Sequence, residues 1–132
     1  MKKPKVFISG PMSGYESYNT NMFFKCQQEL IAAGFAVFNP AWLAFDESSW
    51  GKGEMMAIDI CALSHCDAIC MLPEADKSMG SLMERDFADR MKIPVLFYNP
   101  DSDIWRFTMS SYPDIKKIRT LITEYGGGIR YD

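Results

Sequence analysis

A chain of 132 residues, 48% apolar and 23% charged, has enough apolar side chains for the core of one domain, and its composition is not that of a disordered segment. Its net charge of −3, with no long Lys and Arg block, argues against an electrostatic grip on duplex nucleic acid, so no nucleic-acid polymer is expected as partner. The longest uncharged stretch, Leu30 to Phe45, is interrupted by Gly34, Asn39 and Pro40. A spanning helix needs ~20 mostly apolar residues, so no membrane partner is expected.

The apolar run Val6-Phe7-Ile8 near the N-terminus is shorter than the ~7–15 residues of a signal-peptide core, which leads to an expected cytoplasmic location. Cys26, Cys61, Cys66 and Cys70 match neither a zinc knuckle nor a redox pair and read as small apolar fillers. His65 is the single histidine, and no Ser lies in a nucleophile-elbow context. No metal and no cofactor are expected.

In chain order, Val6 to Ile8 reads as a first strand ended by Gly10-Pro11. A helix follows from Asn19 to Ala33, stopped by Gly34. Phe35 to Phe38 is a second strand, closed by Asn39-Pro40. Ala41 to Lys52 is a loop carrying Trp42 and Trp50, and Glu54 to His65 is a helix. Ala68 to Leu72 is a third strand, Gly80 to Met91 a helix, and Val95 to Tyr98 a fourth strand. Residues 113–124 read as a last helix, and Gly126-Gly127-Gly128 separates it from a short tail.

This alternation predicts a single α/β domain over residues 1–132. Its form is a flavodoxin-like or Rossmann-like three-layer sandwich with a mainly parallel sheet of four to five strands, order 2-1-3-4(-5). The strands are continuous apolar runs, as in sheets buried on both faces. Ligands of such sheets sit beyond the carboxyl ends of the strands where the order reverses, which here selects the loops Gly10–Tyr18 and Pro73–Gly80.

Two carboxylates stand out. On a helical wheel over 79–91, Met79, Met83, Phe87 and Met91 share one arc, with Arg85, Asp86, Asp89 and Arg90 mostly opposite. Glu84 joins neither set and falls at the edge of the packing face, between Gly80, Ala88 and Met91. Loss of solvent there would raise its pKa. Alternatively, Ser81-x-x-Glu84 forms a capping box. Asp59 is the one formally charged residue between Met55 and Cys66, on a helix apolar almost all round. It reads either as a structural aspartate bonded to a loop backbone or as a ligand contact and general acid. Two carboxyls facing one pocket suit glycosidic-bond chemistry, one attacking the anomeric carbon and the other assisting the leaving group.

The turn Gly10-Pro11-Met12-Ser13-Gly14 is neither a Walker A loop nor G-x-G-x-x-G, but offers backbone N–H groups near a helix start. Ser78 could serve the same end or cap its helix. Tyr15, Tyr18, Trp42 and Trp50 lie in loops near the expected mouth, where a planar base could stack.

Five blocks occur in order: Val6-Phe7-Ile8-Ser9-Gly10-Pro11-Met12-Ser13-Gly14; Tyr18-Asn19 with Phe23; Gly34-x-x-Val37-x-Asn39-Pro40-Ala41; Asp59-x-x-x-Leu63-x-x-Cys66-Asp67; and Ser78-x-Gly80-x-x-x-Glu84. Together they resemble the nucleoside 2-deoxyribosyltransferase superfamily, which includes the 2'-deoxynucleoside 5'-phosphate N-hydrolases, over about residues 5 to 98. Within it the chain looks most like a bacteriophage and prophage branch whose members are largely of unknown function. The resemblance implies hydrolysis or transfer of the N-glycosidic bond of a 2'-deoxynucleoside or its 5'-monophosphate. It makes Glu84 the nucleophile at C1' and Asp59 the residue assisting departure of the base. Gly10, Pro11, Met12, Ser13, Tyr18, Ser78 and Gly80 would line the substrate. The resemblance also implies a homo-oligomer in which a neighbouring subunit completes the site, a role for which Ser110 and Ser111 are candidates. One departure is plain: the nucleotide hydrolases carry a basic residue near the place of Ser13, and this loop has no Arg or Lys. That departure motivates the alternative of a non-catalytic nucleotide-binding module.

Overall fold

The structure, a computed structural model, describes residues 3–43, 49–102, 104, 106–109 and 129–131. The strands are β1 (Lys5–Ser9), β2 (Ala36–Phe38), β3 (Ala68–Met71), β4 (Val95–Tyr98), β5 (Phe107–Met109) and β6 (Ile129–Tyr131). The helices are α1 (Thr20–Ala32), α2 (Lys52–Ser64) and α3 (Met79–Arg90). The sheet order is β2-β1-β3-β4-β5-β6. Strands β2, β1, β3 and β4 run parallel, β5 is antiparallel to β4, and β6 is parallel to β5. The expected order 2-1-3-4-5 is therefore present. The sheet carries one strand more than expected, formed by the tail after the three glycines. The helix expected over 113–124 lies outside the described residues, as do Ser110 and Ser111.

Alternation along each strand divides the core into two layers. Val6, Ile8, Ala68, Cys70, Leu96 and Tyr98 face one side, where Phe23, Cys26 and Leu30 of α1 cover them. Phe7, Ile69, Met71 and Val95 face the other, under Leu63 of α2 and Ala88 of α3. This is the expected three-layer sandwich. Helix α1 ends where the sequence places its stop: Gly34 takes φ 99°, and the N–H groups of Gly34 and Phe35 close on the carbonyls of Ile31 and Leu30, each at 3.0 Å.

Helix α3 packs differently from the expected wheel. Met79, Met83 and Met91 are 72%, 50% and 60% exposed, whereas Ser81, Glu84 and Ala88 are buried. Their spacing of three and then four puts them on one helix face, and the small Ser81 and Ala88 let α3 approach the sheet closely, which leaves the long methionines outside. The filler reading of the cysteines holds for buried Cys26 and Cys70, but Cys61 is exposed on α2. Among the described residues no helix is long and apolar enough to cross a membrane.

Candidate functional site

The order of the sheet reverses between β1 and β3, so their carboxyl ends diverge into the two loops the sequence selects. The loops meet tightly at Gly10. A Cβ there would lie 2.6 Å from Leu72 Cδ1 and 2.8 Å from Leu72 Cβ, so this position needs glycine for packing. Main-chain hydrogen bonding continues past the strands, with Leu72 N donating to Ser9 O at 2.8 Å.

Ser9 closes β1. It shares the side-chain parity of Phe7 and so points to the α2 and α3 layer, where it is fully buried. Its Oγ donates to Glu84 Oε1 at 2.6 Å. Glu84 is 5% exposed, and Asp59 of α2 is half-buried with its carboxyl against that of Glu84. Burial pushes Glu84 up to about 8; the Ser9 hydroxyl opposes this shift and the neighbouring Asp59 reinforces it. Burial also pushes Asp59 up to about 6, against a lowering by its hydrogen bonding with Glu84. Two carboxyls this close do not both ionise readily, and near neutral pH the pair holds about one proton. Asp59 Oδ1 and Ser81 Oγ are buried without a hydrogen-bond partner among the described residues. Buried polar atoms are seldom left unmatched; Glu29 Oε2 and the Tyr98 hydroxyl are two others among the described residues.

The capping-box alternative for Glu84 is not what forms. Helix α3 begins at Met79, so Ser78 is the cap and its Oγ accepts from Ser81 N at 3.3 Å. Ser81 then lies inside the helix, and Glu84 turns to Ser9. Asp59 is likewise not tied to a loop backbone among the described residues; it faces Glu84.

The other expected site residues are more scattered. Gly80 sits in the first turn of α3, where a Cβ would meet Met56 Cε at 3.4 Å, an ordinary contact. Pro11 is buried, and its carbonyl accepts from Asn19 Nδ2 at 3.0 Å. Met12 packs on the α1 side of the core, away from the carboxyl pair. Ser13 and Tyr18 are exposed and make no side-chain hydrogen bond to the pair among the described residues. Ser17, Tyr18 and Asn19 form a run of left-handed backbone with φ of 51°, 54° and 61°. Three consecutive non-glycine residues in this region carry local strain. Trp42 and Trp50 are exposed, while the Tyr15 hydroxyl donates to Glu74 and so links the two loops.

Sequence reasoning missed Ser9 as a site residue. The available signal was its position two residues after Phe7 at the end of a buried strand. A separate cleft of about 280 Å³ lies across α3, lined by Glu74, Leu82, Arg85, Phe97 and Asn99, and neither Asp59 nor Glu84 lines it. Arg85 is held there over the Phe97 ring and by Asp89. The carboxyl pair lies on the other side of α3, facing α2. Among the described residues no group of His, Cys, Asp or Glu is arranged to hold a metal ion.

The DUF4406 family model, a domain of unknown function, matches residues 4–97, the segment that carries β1 to β3, all but the last residue of β4, and Asp59 and Glu84. No curated protein matches the chain. Among solved structures, the crystal structure of a conserved protein from Enterococcus faecalis V583 is similar at TM-score 0.58 and 17% identity, covering 99% of this chain and 91% of that one. At that identity the likeness concerns the fold alone.

Proposed function

The chain belongs to the DUF4406 family, and from the site it carries we propose that it cleaves or transfers the N-glycosidic bond of a 2'-deoxynucleoside or its 5'-monophosphate. The observation that carries this reading is the pairing of half-buried Asp59 with buried Glu84 beside the β1 and β3 loops, one carboxyl anchored by Ser9.

The pair suits two-step chemistry. Of its two members Glu84 holds the proton more tightly in the free protein. Substrate binding would transfer that proton to Asp59, leaving Glu84 as carboxylate. A Glu84 oxygen then forms a bond to C1', the C1'–N bond breaks, and its electron pair leaves with the base. Asp59 supplies the proton that neutralises the departing base. Water, or a second base in a transferase, then attacks C1' and releases Glu84, and the incoming group returns its proton to Asp59. A positioned acid of this kind contributes ~10²–10⁴-fold in rate.

The first loop lacks Arg and Lys, so any 5'-phosphate would be held by hydroxyls and backbone N–H groups, with Ser13 and Ser78 as candidates. Gly10 is read as shaping the loop under the ligand. A homo-oligomer fits the large apolar side chains that α2 and α3 expose, among them Ile58, Met79, Leu82 and Met83. A cytoplasmic location fits a nucleotide-metabolising role.

The lack of a basic residue in the first loop also favours a second reading, a module that binds a nucleotide without turnover. Incubation with a panel of deoxynucleosides and their monophosphates, followed by chromatography of free bases, tests both. Release by the wild type and not by folded Glu84→Ala is the outcome expected of the enzyme. Tight binding that survives Glu84→Ala, with no base released, is the outcome expected of the module.

A further inference from the structure

We propose that Ser9 is a positioning residue for this reaction, its hydroxyl fixing the Glu84 carboxyl group so that Oε2 is the oxygen presented to the sugar. The proposal rests on the reading of Glu84 as the nucleophile.

Ser9 is held from both sides. Its backbone lies in β1, paired in register with Met71 of β3, and its carbonyl accepts from Leu72 N. The side chain is fully buried and donates to Glu84 Oε1 at 2.6 Å, within the ordinary range of an O–H···O hydrogen bond. Glu84 comes from a helix, with three rotatable bonds between backbone and carboxyl. Restricting such a side chain to one rotamer costs conformational entropy. A donor fixed in the sheet imposes that restriction before substrate arrives, which is the condition for a near-attack geometry.

The bond also directs the proton. With Oε1 accepting from Ser9, the proton of the neutral acid resides on Oε2. Exchange with Asp59 therefore exposes the same oxygen that attacks C1'. The ionisable group that faces Glu84 from α2 is Asp59. The charged side chains near it on its own helix are engaged elsewhere, Arg85 with Asp89 and Asp86 with Arg90. From the sheet, β1 and β3 present Ser9 and Met71 on this side, so Ser9 is the polar group the sheet offers it.

The test is a carbon-13 NMR titration of the Glu84 carboxyl, assigned by its loss in Glu84→Gln, in wild type, Ser9→Ala and Ser9→Cys. Base-release kinetics are run on the same proteins, and thermal unfolding confirms that each is folded. Ser9→Ala is expected to move the titration upward by about one pH unit. It should lower kcat on the order of 10²-fold with KM little changed. The weak S–H donor of Ser9→Cys should give an intermediate shift and partial recovery of kcat. An unmoved titration in both folded variants overturns the positioning role even where wild type releases base. Absence of base release from wild type overturns the underlying reading of Glu84, whatever the titration shows.

Discussion

Ser9 Oγ and Glu84 Oε1 are joined by a 2.6 Å hydrogen bond across 75 positions of chain. The bond ties the end of β1 to the middle of α3 at the place where the sheet order reverses. With Asp59 on α2, it assembles a proton-holding carboxyl pair from three separate elements of a parallel α/β fold.

The pair implies a bell-shaped pH dependence of base release. Activity needs one proton on the two carboxyls, so kcat/KM should rise through about 6 and fall through about 8, with both limbs belonging to the pair jointly. A pH–rate profile measured from pH 5 to pH 9 checks this. A profile flat across that range would remove the pair from the rate-limiting chemistry.

Stability should depend on pH through the same groups. Both carboxyls bind protons more tightly in the folded chain than unfolded, so their contribution is fully present below the ordinary carboxylate range. It is lost as pH rises through about 6 and about 8. Glu84→Gln removes most of this dependence and should be more stable than wild type at pH 9. Urea unfolding at pH 5 and pH 9 measures the difference.

Gly10→Ala should be damaging although it adds a single methyl group. The new Cβ would overlap Leu72 at three carbon atoms, one of them Cβ, which cannot rotate away. The expected loss is ~1–3 kcal/mol, as for overpacking elsewhere. It should be accompanied by weaker ligand binding, because the loops after β1 and β3 are forced apart. Denaturant midpoints and ligand titration read the two effects separately.

Lys92→Gly should stabilise. Lys92 takes φ 58° just after α3, and Ile93 N closes on Ala88 O at 2.8 Å, the arrangement that glycine serves at Gly34 after α1. Relief of the left-handed cost is worth about 1 kcal/mol, readable from chemical denaturation.

The parallel alternation was legible because each of the first four strands is an apolar run bounded by Gly, Pro or Asn. Asp59 stood out because it interrupts a helix apolar almost all round, and Glu84 because it falls at the edge of the packing face, apart from the other charges of its helix. The exposure of Met79, Met83 and Met91 was not. A wheel reports an apolar arc, but the choice of packing face fell to Ser81 and Ala88, whose small size permits closer approach. The residues of the fifth strand, and the sixth strand altogether, were hidden because the extended form of these three-residue strands depends on pairing outward from the edge of β4 and not on a local period. The role of Ser9 was not legible, since a lone serine carries no periodic signal and its partner lies 75 positions along the chain.

The most direct test of the central claim is single-turnover base release at pH 7 by wild type and Glu84→Gln, using the deoxynucleoside or monophosphate that wild type cleaves. The account predicts that the variant, folded and still binding that substrate, releases base at least ~10³-fold more slowly, as for loss of a nucleophile. Release at the wild-type rate would contradict it.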